Sequence, residues 1–182
     1  MPPTHPHASS LSPQSPTESI PMMTRLTCWI AACFGLGYLP KAPGTWGTLL
    51  GYPIWLGLSL LPYQDLLPAR LLTAGLLALI AVPICWIAER AVAEIDPGWV
   101  VLDEAIAIPF CLLLYRPTGG SLLLLLPLSF ALFRLFDILK PPPIFQIQRL
   151  PGGWGVVLDD VLAGLYTAFA LWLLKWIGVP GL

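Results

Sequence analysis

VVLDEAIAIPFCLLLY, residues 100–115, and VVLDDVLAGLYTAFALWLLKWIGV, residues 156–179, each set two adjacent acids at the head of a long apolar run. Leu and Ala dominate both runs with little alternation, which predicts helices rather than strands. Charged residues make up only 10% of the chain, against roughly a quarter in an ordinary soluble domain. An ionised side chain at membrane depth costs at least about 2.5–3.5 kcal/mol, and neighbouring carboxylates repel each other as well. The pairs Asp103-Glu104 and Asp159-Asp160 therefore call for something cationic. A divalent metal is the candidate, and holding one beside a bilayer points to chemistry on a lipid phosphate.

Outward from these stretches, the 182 residues are 57% hydrophobic with a mean hydropathy of +0.78. That composition excludes disorder for most of the chain and predicts a membrane-embedded bundle in one domain. The net charge of −1 offers no basic field for nucleic acid. Cys28, Cys33, Cys85 and Cys111 lie scattered in apolar stretches without metal-ligand spacing, and read as small buried hydrophobes. Residues 1–24 form a Pro/Ser-rich segment that reads as a disordered tail, leaving 25–182 as the folded domain. Both histidines, His5 and His7, fall in the tail, so histidine chemistry is not expected in the fold.

A short helix near 25–36 precedes five apolar runs: 49–61, 71–88, 105–115, 122–133 and 161–179. The second and fifth approach the ~20 residues that span a bilayer. The first can span with Trp46, Tyr52 and Tyr63 at the interfaces. The third and fourth are short, and are expected to be tilted, re-entrant or packed inside the bundle, with RPTGG at 116–120 as the turn between them. Threading the runs back and forth puts Arg25, Lys41, Arg90, Arg134, Lys140 and Arg149 on one side, with Arg70, Arg116 and Lys175 on the other. The excess marks the first side as cytoplasmic. All the unusual polar segments gather there.

Each of those segments has two readings. PGTWGT, residues 43–48, feeds a helix start whose free N–H groups suit an anion, with Lys41, Thr45 and Thr48 as added donors; the alternative is a turn capped by Thr45 or Thr48. Asp103 and Glu104 are hard oxygen ligands suited to Mg²⁺, or acids facing the macrodipole of a helix start. Arg134, Asp137 and Lys140 stand three apart on one helix face. They form an ion-pair ladder, or a carboxylate flanked by two phosphate-binding cations. Asp159 and Asp160 follow a glycine-rich stretch near the start of the last run, where Gly164 allows another helix close.

PKAPGTWGT, VVLDE, FRLFDILKPPPI and GGWGVVLDDVLAG occur in that order over residues 40–164. Together they resemble the signature segments of the phosphatidylglycerophosphatase A family, across roughly residues 33–175. The resemblance implies an all-helical fold of about six helices. It also implies a magnesium-dependent lipid phosphatase of the bacterial inner membrane that converts phosphatidylglycerophosphate to phosphatidylglycerol. The motif positions carried over are Lys41, Pro43, Gly44 and Thr45, then Asp103 and Glu104, then Arg134, Asp137, Lys140 and Pro141. The last motif supplies Gly152, Gly153, Gly155, Asp159, Asp160, Ala163 and Gly164. Leu102, Ala107 and Val157 depart from the residues frequent in the family, and none of them removes a charge.

Other phosphatase chemistries fail by inspection. Cys85 and Cys111 each precede an arginine by five positions, one short of the C-x₅-R spacing, and no D-x-D occurs. The expected division of labour gives Asp103, Glu104, Asp159 and Asp160 to Mg²⁺, with Asp160 also counted as catalytic. Asp137 serves as a further ligand or as the group that orients water. Arg134, Lys140, Lys41, Thr45 and Arg149 hold the phosphate. The expected partners are the phospholipid substrate and the bilayer, with no nucleic acid and the oligomeric state left open. The rival is a small transporter or channel subunit with an acidic ion site, which predicts polar residues spread through membrane depth.

Overall fold

The computed structural model describes residues 21–117 and 122–180. Seven α-helices and no strand occur among them: α1 Met22–Ala31, α2 Pro43–Ser59, α3 Leu67–Val92, α4 Leu102–Cys111, α5 Leu122–Leu139, α6 Ile144–Ile147 and α7 Trp154–Trp176. Six have ten residues or more, and α6 is a single turn. The all-helical expectation holds, with boundaries that differ in places. The first helix starts at Met22, inside the stretch assigned to the tail, and ends at Ala31, with a 3₁₀ turn at Leu36–Tyr38 after it. The rest of the tail and most of the RPTGG turn lie outside the described residues.

Among the described residues three helices are long and apolar enough to cross a membrane: α3, α5 and α7, with 26, 18 and 23 residues. The chain is a membrane protein by this measure. Two expectations about spans change. The run at 49–61 becomes part of α2, whose 17 residues do not qualify. The run at 122–133, expected to be short, continues as helix through Arg134 and Asp137 to Leu139. The apolar count stopped at the first charge, but Arg134 and Asp137 pair one turn apart at 2.9 Å, so the helix carries both.

Helix α3 shows how the bundle faces its surroundings. Its small residues Ala74, Ala78, Ala81, Cys85 and Ala88 turn inward, while Leu72, Leu76, Leu79 and Ile80 are exposed. Only 17% of the apolar window of α5 is buried. Such outward apolar surface suits lipid and not water.

The centre of the bundle is α4, which packs against α2, α3 and α7. Every residue from Ala105 to Cys111 is buried. At about 15 Å long, α4 cannot span, and it lies inside the protein as one of the sequence alternatives had it. Glycines make the room. An added Cβ at Gly51 on α2 would collide with Ile108 and with the Ala105 carbonyl, and one at Gly164 on α7 would press on the Ala107 carbonyl and Phe110. Small residues at such contacts let helices approach closely where no hydrophobic force drives them together. The chain entering α4 is fixed to the end of α1, because Val101 N–H donates to the Ala31 carbonyl at 3.0 Å.

Gly51→Ala should lower the unfolding free energy by about 1–3 kcal/mol through overpacking. Gly57→Ala, whose methyl meets nothing within 4 Å, should raise it by roughly 0.5–1 kcal/mol through helix propensity. Denaturation followed by circular dichroism in detergent compares the two. Equal effects would show that the glycine face of α2 does not seat α4.

Candidate active site

Helix directions place the polar groups. The end of α3, the start of α4, the end of α5 and the start of α7 meet at one end of the bundle. There a cavity of about 200 Å³ is lined by Asp96, Asp103, Glu104, Asp137, Lys140, Asp159 and Asp160 with Gly98 and Val100. Six carboxylates and one lysine share this space, and Arg134 reaches two of the acids from behind. Among the described residues the other end is built differently. Arg70 is used up on carbonyls there, and Arg116 pairs with the exposed Asp65 at 2.7 Å.

Burial is deep for charged groups: Asp103, Asp159 and Asp160 are each no more than 4% exposed. Arg134 Nη1 donates to Glu104 Oε1 at 3.2 Å and pairs with Asp137 Oδ2 at 2.9 Å. Lys140 Nζ meets Asp159 Oδ2 at 2.5 Å, and the Asp160 N–H donates to Asp159 Oδ1 at 3.0 Å. Asp103 and Asp160 form no ion pair among the described residues. Asp103 Oδ1 and Glu104 Oε2 are buried without a hydrogen-bond partner among the described residues. Burial drives the Asp103 carboxyl well above its usual range, reinforced by Glu104, Asp96 and Asp159. Burial also pushes Glu104 up to about 7, against the opposing pull of Arg134. Lys140 is raised: burial would lower it, but its hydrogen bond and charge contact with Asp159 outweigh that.

Two local devices hold this arrangement. The first is Gly44 in the first turn of α2, where a Cβ would collide with Glu104 Oε1 and crowd Arg134. The glycine-rich first motif thus makes a flat wall beside the Glu104–Arg134 pair, and no side chain caps the start of α2. Thr48 is buried and its hydroxyl donates back to the Gly44 carbonyl at 2.8 Å. The second is the chain reversal after α5, where Lys140 takes a left-handed backbone conformation (φ 42°). This swings its side chain off the Arg134–Asp137 face and across to α7. The expected three-member ladder on α5 is therefore one rung, and the third member pairs with Asp159.

Of the residues expected in the site, the structure gathers Asp103, Glu104, Arg134, Asp137, Lys140, Asp159 and Asp160. Lys41, Thr45 and Arg149 do not line the cavity. Lys41 is exposed ahead of α2, and its carbonyl accepts from the Trp46 indole. Thr45 lies in the first turn of α2, half-buried. Arg149 sits over the Phe145 ring, 4.6 Å from its centre, in a neighbouring depression. Asp96, not among the residues expected in the site, is a wall of the cavity with positive φ (54°), and its N–H donates to Glu89 Oε1. Its signal was an acid opening a Pro-Gly turn seven residues before an acid pair.

The readings at helix starts now separate. Asp103 and Glu104 do stand in the first turn of α4, where the macrodipole favours them. Asp159 and Asp160 do not stand in the first turn of α7. They lie more than a turn into that helix and buried, so the macrodipole does not account for them. Among the described residues no three of these acids already close on a single point as a ligand set. The partnerless oxygens of Asp103 and Glu104 are the ones free to take a cation.

A deep acidic cavity at one end of apolar helices defines a membrane protein built to handle charge at the bilayer surface. The chain belongs to the phosphatidylglycerophosphatase A family, matched over residues 29–175, and is a phosphatase by that membership. It is 38% identical over 151 residues to a Bacteroides thetaiotaomicron protein provisionally named a phosphatidylinositol-3-phosphatase, covering 81% of this chain and 92% of the relative. It is 35% identical over 151 residues to the Haemophilus influenzae phosphatidylglycerophosphatase A, covering 81% and 87%. The Escherichia coli phosphatidylglycerophosphatase A is 32% identical over 146 residues, covering 80% and 81%. No solved structure matches.

Lys140→Met should leave Asp159 buried without its partner and cost about 3 kcal/mol. Adding Asp159→Asn should recover part of that loss, with a coupling of roughly 1–3 kcal/mol in the double-mutant cycle. Strictly additive effects on unfolding in detergent would mean that the α5–α7 pair does not form.

Proposed function

We propose that this protein hydrolyses the terminal phosphate of phosphatidylglycerophosphate, giving phosphatidylglycerol and inorganic phosphate, with magnesium as its cofactor. The observation that carries the reading is the charge imbalance of the cavity, in which six carboxylates face two cations. A phosphate monoester brings roughly two more negative charges at neutral pH and cannot enter such a site unaided. The site therefore requires added positive charge, and its all-oxygen donor set suits a hard cation. Magnesium typically takes only one or two carboxylates and keeps several waters, which fits the open arrangement of Asp103 and Glu104.

In this reading Asp103, Glu104, Asp159 and Asp160 hold the ion or the waters around it. Bound there, magnesium supplies Lewis acidity and neutralises charge on the reacting phosphate. Lys140 spends one of its donors on Asp159, and Arg134 spends Nη1 on two acids, so both keep N–H groups for phosphate oxygens. Asp137 lines the cavity beside them and takes the proton from the attacking water. The new bond joins the water oxygen to phosphorus, the bond from phosphorus to the glycerol oxygen breaks, and that oxygen takes a proton from solvent while Asp137 returns the water's proton to solvent.

A second substrate has its own support in the Bacteroides relative named for phosphatidylinositol 3-phosphate. Both lipids carry a phosphate monoester on a polyol headgroup, and phosphate release from each by purified protein decides between them. A transport function finds less support, since the acids collect at one end of the bundle and do not continue along it.

Chelator-treated protein should lose activity and regain it with Mg²⁺. Asp103→Asn and Asp160→Asn should each lower turnover by more than the ~10²–10³ typical of losing one charge-stabilising group. Mg²⁺ at a hundred times its Kd should also stabilise the wild type by about 2.7 kcal/mol, and should do much less for the Asn variants. Full turnover after chelation would end the metal reading.

Threading the apolar runs puts six lysines and arginines on the side of the acid pairs against three on the other, and on that count we place the site at the cytoplasmic face of a bacterial inner membrane. Cysteines introduced by Pro117→Cys and Gln148→Cys should react with an impermeant reagent from opposite faces, the second only after permeabilisation. Labelling of both from outside would reverse this orientation.

A further inference from the structure

Beside the carboxylate cavity lies a second and larger depression of about 740 Å³, formed where the end of α3 meets α6 and the loop before α7. Asp96 is a wall of both. The acidic cavity has too much negative charge, whereas this depression offers two arginines, and neither forms an ion pair among the described residues. Arg90 lies over the Trp86 ring at 5.3 Å and Arg149 over the Phe145 ring at 4.6 Å. Stacking on an aromatic face fixes the plane of a guanidinium while leaving its edge N–H groups free for an anion.

The floor is built rather than incidental. Gly153 has φ 77°, and a Cβ there would collide with the Val82 carbonyl and the Trp86 backbone, so the loop before α7 is pressed onto α3. Gln148 Nε2 reaches Asp96 Oδ2 at 3.4 Å, and Glu89 Oε1 is engaged by the Asp96 N–H. These contacts occupy the two acids nearest the shared wall. The remaining acid of the depression, Glu94, is exposed. Trp86 and Phe145 are half-exposed, as aromatic residues are at the level of lipid headgroups.

Resting on the phosphatase reading above, we infer that Arg90 and Arg149 bind the phosphodiester of the lipid substrate. A phospholipid whose headgroup ends in a phosphate monoester carries two phosphates, one to be cleaved and one joined to diacylglycerol. With the monoester in the carboxylate cavity, the linking polyol crosses Asp96 and the diester falls in the arginine depression. Arg149 thus belongs to the anchoring phosphate and not to the reacting one. Binding energy from this remote group favours lipid over soluble phosphate esters.

The test compares phosphatidylglycerophosphate with glycerol 3-phosphate, which has the monoester and no diester. In Arg90→Gln and Arg149→Gln, the ratio of kcat/KM for the lipid to that for the soluble ester should fall about tenfold each, mostly through KM. A binding measurement needs no turnover. Dihexanoyl phosphatidylglycerol should quench Trp86 in the wild type, with Trp86→Phe as the control, and quench it weakly in the Gln variants. Equal losses on both substrates, or lipid binding unaffected by the substitutions, would overturn the subsite. If the wild type binds the short-chain lipid through these arginines yet releases no phosphate from phosphatidylglycerophosphate, the substrate reading fails and the subsite stands. Phosphatidylinositol 3-phosphate, with the same diester and a different polyol, then identifies the lipid.

Discussion

Six carboxylates crowd one end of a bundle of apolar helices, and among the described residues only Arg134 and Lys140 pair with them. Like charges about 4 Å apart repel by roughly 4 kcal/mol at an effective dielectric of 20. Desolvation adds to this for Asp103, Asp159 and Asp160, which are nearly inaccessible. Protonation relieves some of the strain, and the raised Asp103 and Glu104 carboxyls are its sign. A cation relieves more. The tight glycine contacts and the cross-helix ion pairs can be read as what keeps this cluster assembled against its own repulsion.

A ten-residue helix inside the bundle is costly in another way. Its C-terminal carbonyls lose their intrahelical partners at a depth where water cannot supply donors. The Ile108 and Phe110 carbonyls accept from the Leu112 and Leu113 N–H groups of the turn that follows, and Arg70 at the start of α3 secures that turn: Nη1 donates to the Leu113 carbonyl at 2.8 Å and the Tyr115 carbonyl at 3.2 Å, and Nε to the Gln64 carbonyl at 2.7 Å. The Tyr115 hydroxyl in turn donates to the Leu171 carbonyl on α7 at 2.9 Å. These bonds close the lower end of α4, and the glycines of α2 and α7 close its sides. What remains open is the first turn, which carries Asp103 and Glu104.

The acid pairs were legible in the sequence because charge is rare and expensive in such a chain, and their gathering followed from threading apolar runs. The partner of Lys140 was not legible. Spacing by three put it on the face of Asp137, and only the left-handed turn at that residue redirects it to Asp159. The glycines of the first motif read as an anion cradle or as a capped turn, since sequence shows glycine without showing what stands opposite. Gly44 faces Glu104 and Gly51 faces Ile108, contacts between segments some sixty residues apart. Sequence groups Arg149 with the phosphate ligands, and the structure puts it in the adjoining depression, because threading resolves only which end a residue occupies and two depressions share that end.

The depth of the two depressions differs, and the difference bears on how a lipid could be handled without leaving the bilayer. Asp159 and Asp160 lie five and six residues into α7, some 8–9 Å below its start at 1.5 Å per residue. Arg90 stands in the last turn of α3, at the helix end. A lipid held by its diester at the level of Arg90 keeps its acyl chains in the membrane while its terminal phosphate dips into the protein. The exposed face of α3 nearest that end, with Leu79, Ile80 and Ile87 outward, remains free to meet those chains. On the proposed reading the apolar surface brings in the substrate, the arginines set its height, and the buried acids serve the one phosphate that reaches them.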